Sequence, residues 1–211
     1  MTYYRNAFLL SSIVVLASCG GQHSHEETSA PDPAQQTCTY TYNADSSRVI
    51  WTAFKTTEKV GVSGTFNEVK VNGTQQAQSV VEAMQSASFV IPVAGVNTTN
   101  PDRDKKIMEH FFGTMASTTE LTGSVVSLDA TTANVAISMN GVTDTVKMDV
   151  VITDSKIALS AVIELANWSA QPSVDALNKV CFDLHKGADG VSKLWPEVKL
   201  EVSTTLNKAC Q

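Results

Sequence analysis

After position 38 apolar and polar residues alternate along most of the chain. In "EVKLEVSTTL", Val198, Leu200, Val202 and Leu206 are separated by Lys199, Glu201, Ser203 and Thr205. "KIALSAVIEL" places Ile157, Leu159, Ala161, Ile163 and Leu165 on one face, "TVKMDVVIT" does so with Val146, Met148, Val150 and Ile152, and "ANVAISM" with Val135, Ile137 and Met139. A period of two marks strands with one apolar and one polar face. The links between them are short and rich in turn residues, Asn140–Gly141 above all, so the pattern predicts an antiparallel meander. "TCTYTYN", "RVIWTAFKTT", "GTFNEVKV", "ASFVIPV" and "TELTGSVVSL" extend it to about eight or nine strands. A one-faced sheet of that size hides its apolar side by packing on a second sheet or by curling into a barrel.

Helical spacing interrupts the meander in two places, with a weaker third in "QAQSVVEAM". In "NPDRDKKIMEHFFG", Asn100 suits the N-cap, Pro101 the first helical position, and Asp102 and Asp104 the positive end of the dipole. Ile107, Met108, Phe111 and Phe112 form the apolar stripe and Gly113 a stop. In "PSVDALNKVCFDLHKG" the predicted stripe is Val174, Leu177, Val180, Cys181 and Leu184, running to a stop at Gly187. Both helices are expected at the ends of the sheet, as lids or braces, because they do not alternate with strands as a parallel α/β fold requires.

The N-terminus changes the picture of where the fold begins. Residues 1–18 read as a signal peptide: Arg5 precedes a ten-residue apolar core, "AFLLSSIVVL", too short to span a bilayer comfortably. "LASC" then resembles the bacterial lipobox, which implies cleavage before Cys19 and its acylation. The expectation is an exported, membrane-anchored bacterial lipoprotein facing the periplasm. Gly20 in place of Asp after the cysteine fits outer-membrane sorting by enterobacterial convention. Residues 19–37 are rich in Gly, Ser, Pro and acids and read as a flexible tether, leaving 38–211 as one domain. His23, His25, Glu26 and Glu27 lie in that tether, where no preformed geometry favours a metal, so no cofactor or metal is expected.

Composition mostly excludes. A net charge of −6 without a Lys/Arg run argues against a nucleic-acid partner. No nucleophile elbow, zinc-protease helix, phosphate loop or dinucleotide fingerprint occurs, and the chain is read as no enzyme. His110 with Glu109 is the one acid–base alternative. Three cysteines follow Cys19. Cys38 opens the first strand and Cys210 closes the last, so a disulfide joins them if those strands are neighbours, with Cys181 left as a buried thiol. Alternation alone fits a filled, structural or interaction module at the membrane as well as it fits a lipid pocket, and a homodimer stays open.

"RVIWTAFK", "VGVSGTFNEV" and "NTTNPDRDKKIMEHFFG", in that order, resemble the YceI-like family of exported lipocalin-type barrels, from about Ser46 onward. The resemblance implies an all-β, closed, eight-stranded antiparallel barrel with two or three short helices. It also implies non-catalytic binding or carriage of a polyisoprenoid or other long apolar lipid. On that basis Ile107, Phe111 and Phe112 are expected to face the apolar interior, with Arg103 and Asp104 at its rim and Arg103 toward any head group, or with the two only bracing the loop; Trp51 and Phe54 are expected to complete the lining. The sequence departs from the family at Lys106, where His is frequent, at Gly113, where Asp is usual, and in the added helix of residues 172–187.

Overall fold

The computed structural model describes residues 36–116 and 118–211. The signal-peptide, lipobox and most of the tether assignments, Cys19 included, lie outside them. Eleven strands occur in chain order: β1 (Cys38–Tyr42), β2 (Arg48–Lys55), β3 (Val60–Phe66), β4 (Lys70–Asn72), β5 (Ser88–Pro92), β6 (Val96–Asn97), β7 (Glu120–Leu128), β8 (Thr132–Met139), β9 (Val142–Thr153), β10 (Lys156–Glu164) and β11 (Leu194–Cys210). The α-helices are α1 (Val80–Met84), α2 (Pro101–His110) and α3 (Gln171–Val180), with 3-10 turns between elements. All pairing is antiparallel, in the order β4-β5-β7-β8-β9-β10-β11-β2-β3-β6, with β1 added to β11.

This curled sheet corrects the expectation of a closed eight-stranded barrel. The ladder has two ends, β4 and β6, and is not an unbroken ring. Residues 67–69 interrupt "GTFNEVKV" between β3 and β4, and a 3-10 turn at Val93–Gly95 separates β5 from the two-residue β6. The ladder thins toward both ends, where only two residues of β3 pair with β6 and three of β4 with β5.

The alternation holds elsewhere. On β8, Ala133, Val135, Ile137 and Met139 are buried and the residues between them are not. The β8–β9 hairpin turns on Asn140 and Gly141, both left-handed at φ of 51° and 72°, as a two-residue primed turn requires. At the β7–β8 turn, Asp129 accepts hydrogen bonds from the amides and hydroxyls of Thr131 and Thr132, which hold its carboxyl well below the usual range.

Strand direction sorts the connections into two ends. The 56–59 and 140–141 turns lie at one end with α2 and α3, while α1, the 129–131 and 154–155 turns, β1 and the C-terminus lie at the other. At the helical end α2 packs on α3, and Thr114 Oγ1 donates to Ser173 Oγ at 2.8 Å. Asn140 ties the lid to the sheet: its Oδ1 accepts from Ala116 N, its Nδ2 donates to the carbonyls of Trp168 and Ser169, and its own amide donates to Thr118 Oγ1. Trp168 is fully buried beneath, and its indole N–H donates to the Ile137 carbonyl at 2.8 Å. Cys38 and Cys210 face each other in the β1–β11 register and form a disulfide, and Cys181 is a buried free thiol.

The stripe of the last helix does not continue as predicted. α3 stops at Val180 and the chain tightens into a 3-10 turn at Phe182–His185. Val174 and Cys181 stay buried, while Val180 at the last position of α3 and Leu184 in the 3-10 turn face solvent.

Candidate functional site

Several inward side chains are half-exposed although they face the middle of the sheet: Trp51, Leu159, Ala161, Val198, Leu200 and Val202. All of these but Ala161 line a cavity of about 250 Å3 held within the curl. It extends from Ser47, Met84, Ala87 and Thr204 near the α1 end to Phe111, Leu177 and Leu194 under α2 and α3. Its lining contains no charged side chain. Of its three hydroxyls, that of Ser47 is engaged with Tyr42 Oη at 2.8 Å and with Thr204 Oγ1 at 3.1 Å.

Two glycines give the wall its shape. Trp51 pairs across the strands with Gly64, and a Cβ there would lie 2.3 Å from the indole ring. Phe89 pairs with Gly123, where a Cβ would meet its ring at 2.4 Å and the Ala136 carbonyl at 2.2 Å. Each aromatic lies over bare backbone and covers it, which curves the sheet around the ring. The Trp51 indole N–H is buried there with no hydrogen-bond partner.

α2 supplies one wall as its spacing predicts. Asn100 Oδ1 accepts from the Arg103 amide, and Ile107 and Phe112 are buried against the cavity with Phe111 beside them. The two phenylalanine rings meet edge to face at 5.0 Å. Phe54, Arg103 and Asp104 are not in the lining. Phe54 is three residues from Trp51, and on a strand an odd separation puts side chains on opposite faces. Arg103 is exposed on α2. Asp104 braces the preceding loop, accepting from the Thr98 amide at 2.8 Å and the Thr98 hydroxyl at 2.6 Å. Phe66, Phe89 and Trp195 are lining aromatics that the sequence reading missed. Trp195 could not be placed by alternation, because the β11–β2 register shifts between Leu194 and Val198.

His110 and Glu109 lie on α2 with 3.9 Å between Nε2 and Oε2, and neither lines the cavity. Among the described residues no group of three His, Cys, Asp or Glu side chains is arranged to hold a metal. Under the lid, His185 is buried, with Nδ1 2.8 Å from Asn178 Oδ1. Burial first, then the positive charges of Lys55 and Lys106, push its pKa down to about 4. The folded chain therefore resists a proton that the unfolded chain takes up near the ordinary histidine pKa. Stability is expected to fall as pH drops from about 6.5 toward 4 and then to stop responding to this group. Urea midpoints across that window check this: His185→Gln should flatten the slope, and an unchanged slope refutes the assignment.

The YceI-like domain model matches residues 40–206. The chain belongs to the YceI-like family. Solved structures agree in fold at low identity. A polyisoprenoid binding domain from Saccharophagus degradans, implicated in plant cell wall breakdown, is 14% identical with a TM-score of 0.56, the match covering 82% of this chain and 99% of that one. Burkholderia cenocepacia BcnA is 13% identical with a TM-score of 0.55, over 80% and 99% of the two chains. No match was found among curated proteins. Within this YceI-like domain the lined cavity is the candidate site.

Proposed function

We propose that this YceI-like protein holds a long apolar molecule of the isoprenoid class in its cavity without transforming it, while tethered to a membrane. The observation that carries the reading is the uncharged, apolar void between the two ends of the sheet. A structural module with a filled core, the alternative the sequence left open, would have no such space. The polyisoprenoid-binding character of the Saccharophagus degradans domain supports the same class of guest. Burial supplies the affinity: about 400 Å2 of ligand surface at about 25 cal/mol per Å2 gives about 10 kcal/mol before ordering costs. A charged head would go unpaired among these side chains and stays outside, where exposed Arg103 is the residue proposed to meet it. Acylation at Cys19, export and an outer-membrane location complete the proposal and rest on the lipobox pattern alone.

Native mass spectrometry of protein extracted gently from membranes tests it. A folded chain carrying an additional mass that organic solvent releases is expected. A folded chain at its bare mass, after extraction with no delipidating step, sinks the reading.

A further inference from the structure

The two thin ends of the ladder face each other across a gap. β3 leads through residues 67–69 into β4, and β5 leads through Val93–Gly95 into β6. β3 therefore meets β6 on one side of the gap, and β4 meets β5 on the other. Between these short ladders one backbone hydrogen bond joins residues 67–69 to residues 91–95, from Asn67 N to the Gly95 carbonyl at 2.8 Å. A side-chain bond supports it, from Asn97 Nδ2 to Asn67 Oδ1 at 2.9 Å. The cavity lies directly behind, since Phe66 and Val69 on one edge of the gap and Phe89 and Ile91 on the other belong to its lining.

Pro92 is the reason the ladder stops. In an antiparallel pair the backbone groups of alternate residues turn to opposite neighbours. Val93 N donates to the Thr119 carbonyl and the Ala87 carbonyl accepts from Val125 N, so the odd-numbered residues here turn to β7. Ser88, Val90 and Pro92 then turn to β4, and the pairing of Lys70 with Val90 sets Pro92 opposite Glu68. Proline has no N–H to give the Glu68 carbonyl, and the next rung does not form. The other boundaries of the cavity are fastened. At the helical end Asn140 ties the lid down through four hydrogen bonds over the buried Trp168. At the α1 end the hydroxyls of Tyr42, Ser47, Thr204 and Ser46 are linked in series at 2.8, 3.1 and 2.8 Å.

We propose that the gap is a lateral portal, through which the guest enters the cavity sideways between residues 67–69 and 93–95 and not past either end of the sheet. The portal rests on the reading of the cavity as a guest site. Neighbouring strands lie about 4.8 Å apart and apolar layers pack about 10 Å apart, so the edges part by about 5 Å to pass a hydrocarbon chain. That movement breaks the two hydrogen bonds of Asn67 and spares the long ladders from β7 round to β2. Local opening draws on the least bonded backbone of a fold, which is here. The entering chain slides over Phe66, Val69 and Ile91, whose apolar side chains replace water along its route.

Uptake of diphenylhexatriene, a linear hydrocarbon that fluoresces once out of water, tests the route when followed by stopped flow on the full chain. A Cβ on Gly95 would lie 3.6 Å from the Asn67 Cβ, within disulfide reach, so Asn67→Cys with Gly95→Cys staples the gap. The oxidised double variant is expected to melt no lower than the parent and to lose nearly all uptake on the parental timescale, while each single variant keeps it. Pro92→Ala restores the missing N–H without a cross-link and should slow uptake about fivefold, the effect of one added backbone hydrogen bond on the opening equilibrium. Thr114→Cys with Ser173→Cys, where the hydroxyls are 2.8 Å apart, staples the lid and should leave the rate unchanged. Parental uptake by the stapled gap, or slowing by the stapled lid in its place, overturns the portal and leaves the cavity standing. A parent chain that takes up no probe overturns the guest site and the portal with it.

Discussion

Phe112→Asp is expected to yield a folded chain that retains no apolar molecule. Phe112 is buried, at 7% exposure, at the end of α2, and its ring forms cavity wall beside Phe111. A carboxylate there finds no cation among the lining residues and at most the unpaired Trp51 indole N–H as a donor, so it is either charged at a cost of several kcal/mol or protonated at a raised pKa. Loss of the ring also removes about 3–5 kcal/mol of packing. Phe112→Leu separates these effects, because it keeps the wall apolar and loses only volume. Lipid extraction and thermal melts on both variants give the answer. Retention by Phe112→Leu with loss from a still-folded Phe112→Asp is the expected pair of results, and equal retention by both removes Phe112 from the site.

Opening the Cys38–Cys210 bond should lower stability by about 3–5 kcal/mol. The bond spans 172 residues, and the entropy of closing so long a loop sets an upper value of about 5 kcal/mol. β1 has few other attachments: it pairs with β11, and Tyr40 bridges to Ala77. For a domain of this size the loss corresponds to about 10 °C or more in melting temperature. Denaturant midpoints for the parent and for the Cys38→Ser, Cys210→Ser double variant measure it. Identical midpoints in non-reducing buffer show that the bond contributes nothing to the fold.

The parts of this molecule that were readable in advance are those set by local rules. Strands β8 to β11 announced themselves because apolar and polar residues alternate along each, and the Asn140–Gly141 hairpin because few residue pairs accept two left-handed positions. α2 was legible down to the side chains it turns inward, since capping and stripe agreed. The facing cysteines followed from strand ends meeting.

What could not be read depends on register and on breaks. Phe54 is expected in the lining with Trp51 but does not line the cavity, and the odd separation of the two on one strand is a signal present in the sequence. The rings covering Gly64 and Gly123 become visible only when it is known which residue stands opposite. The missing closure comes from two short interruptions, residues 67–69 and Val93–Gly95, in segments whose composition still reads as strand. Leu184 leaves the predicted stripe because it lies in a 3-10 turn, whose tighter pitch no side-chain pattern marks.

The cystine between the first and last strands also has a mechanical consequence. Traction arriving along the chain ahead of Gln36 passes through the two sulfur atoms into β11 without having to peel β1 away first. Beyond the five residues that pair with β1, β11 is clasped by β10 on one edge and β2 on the other, so the pull is resisted in shear by two ladders together. A molecule moored by its leading segment is thus held by its most deeply embedded strand.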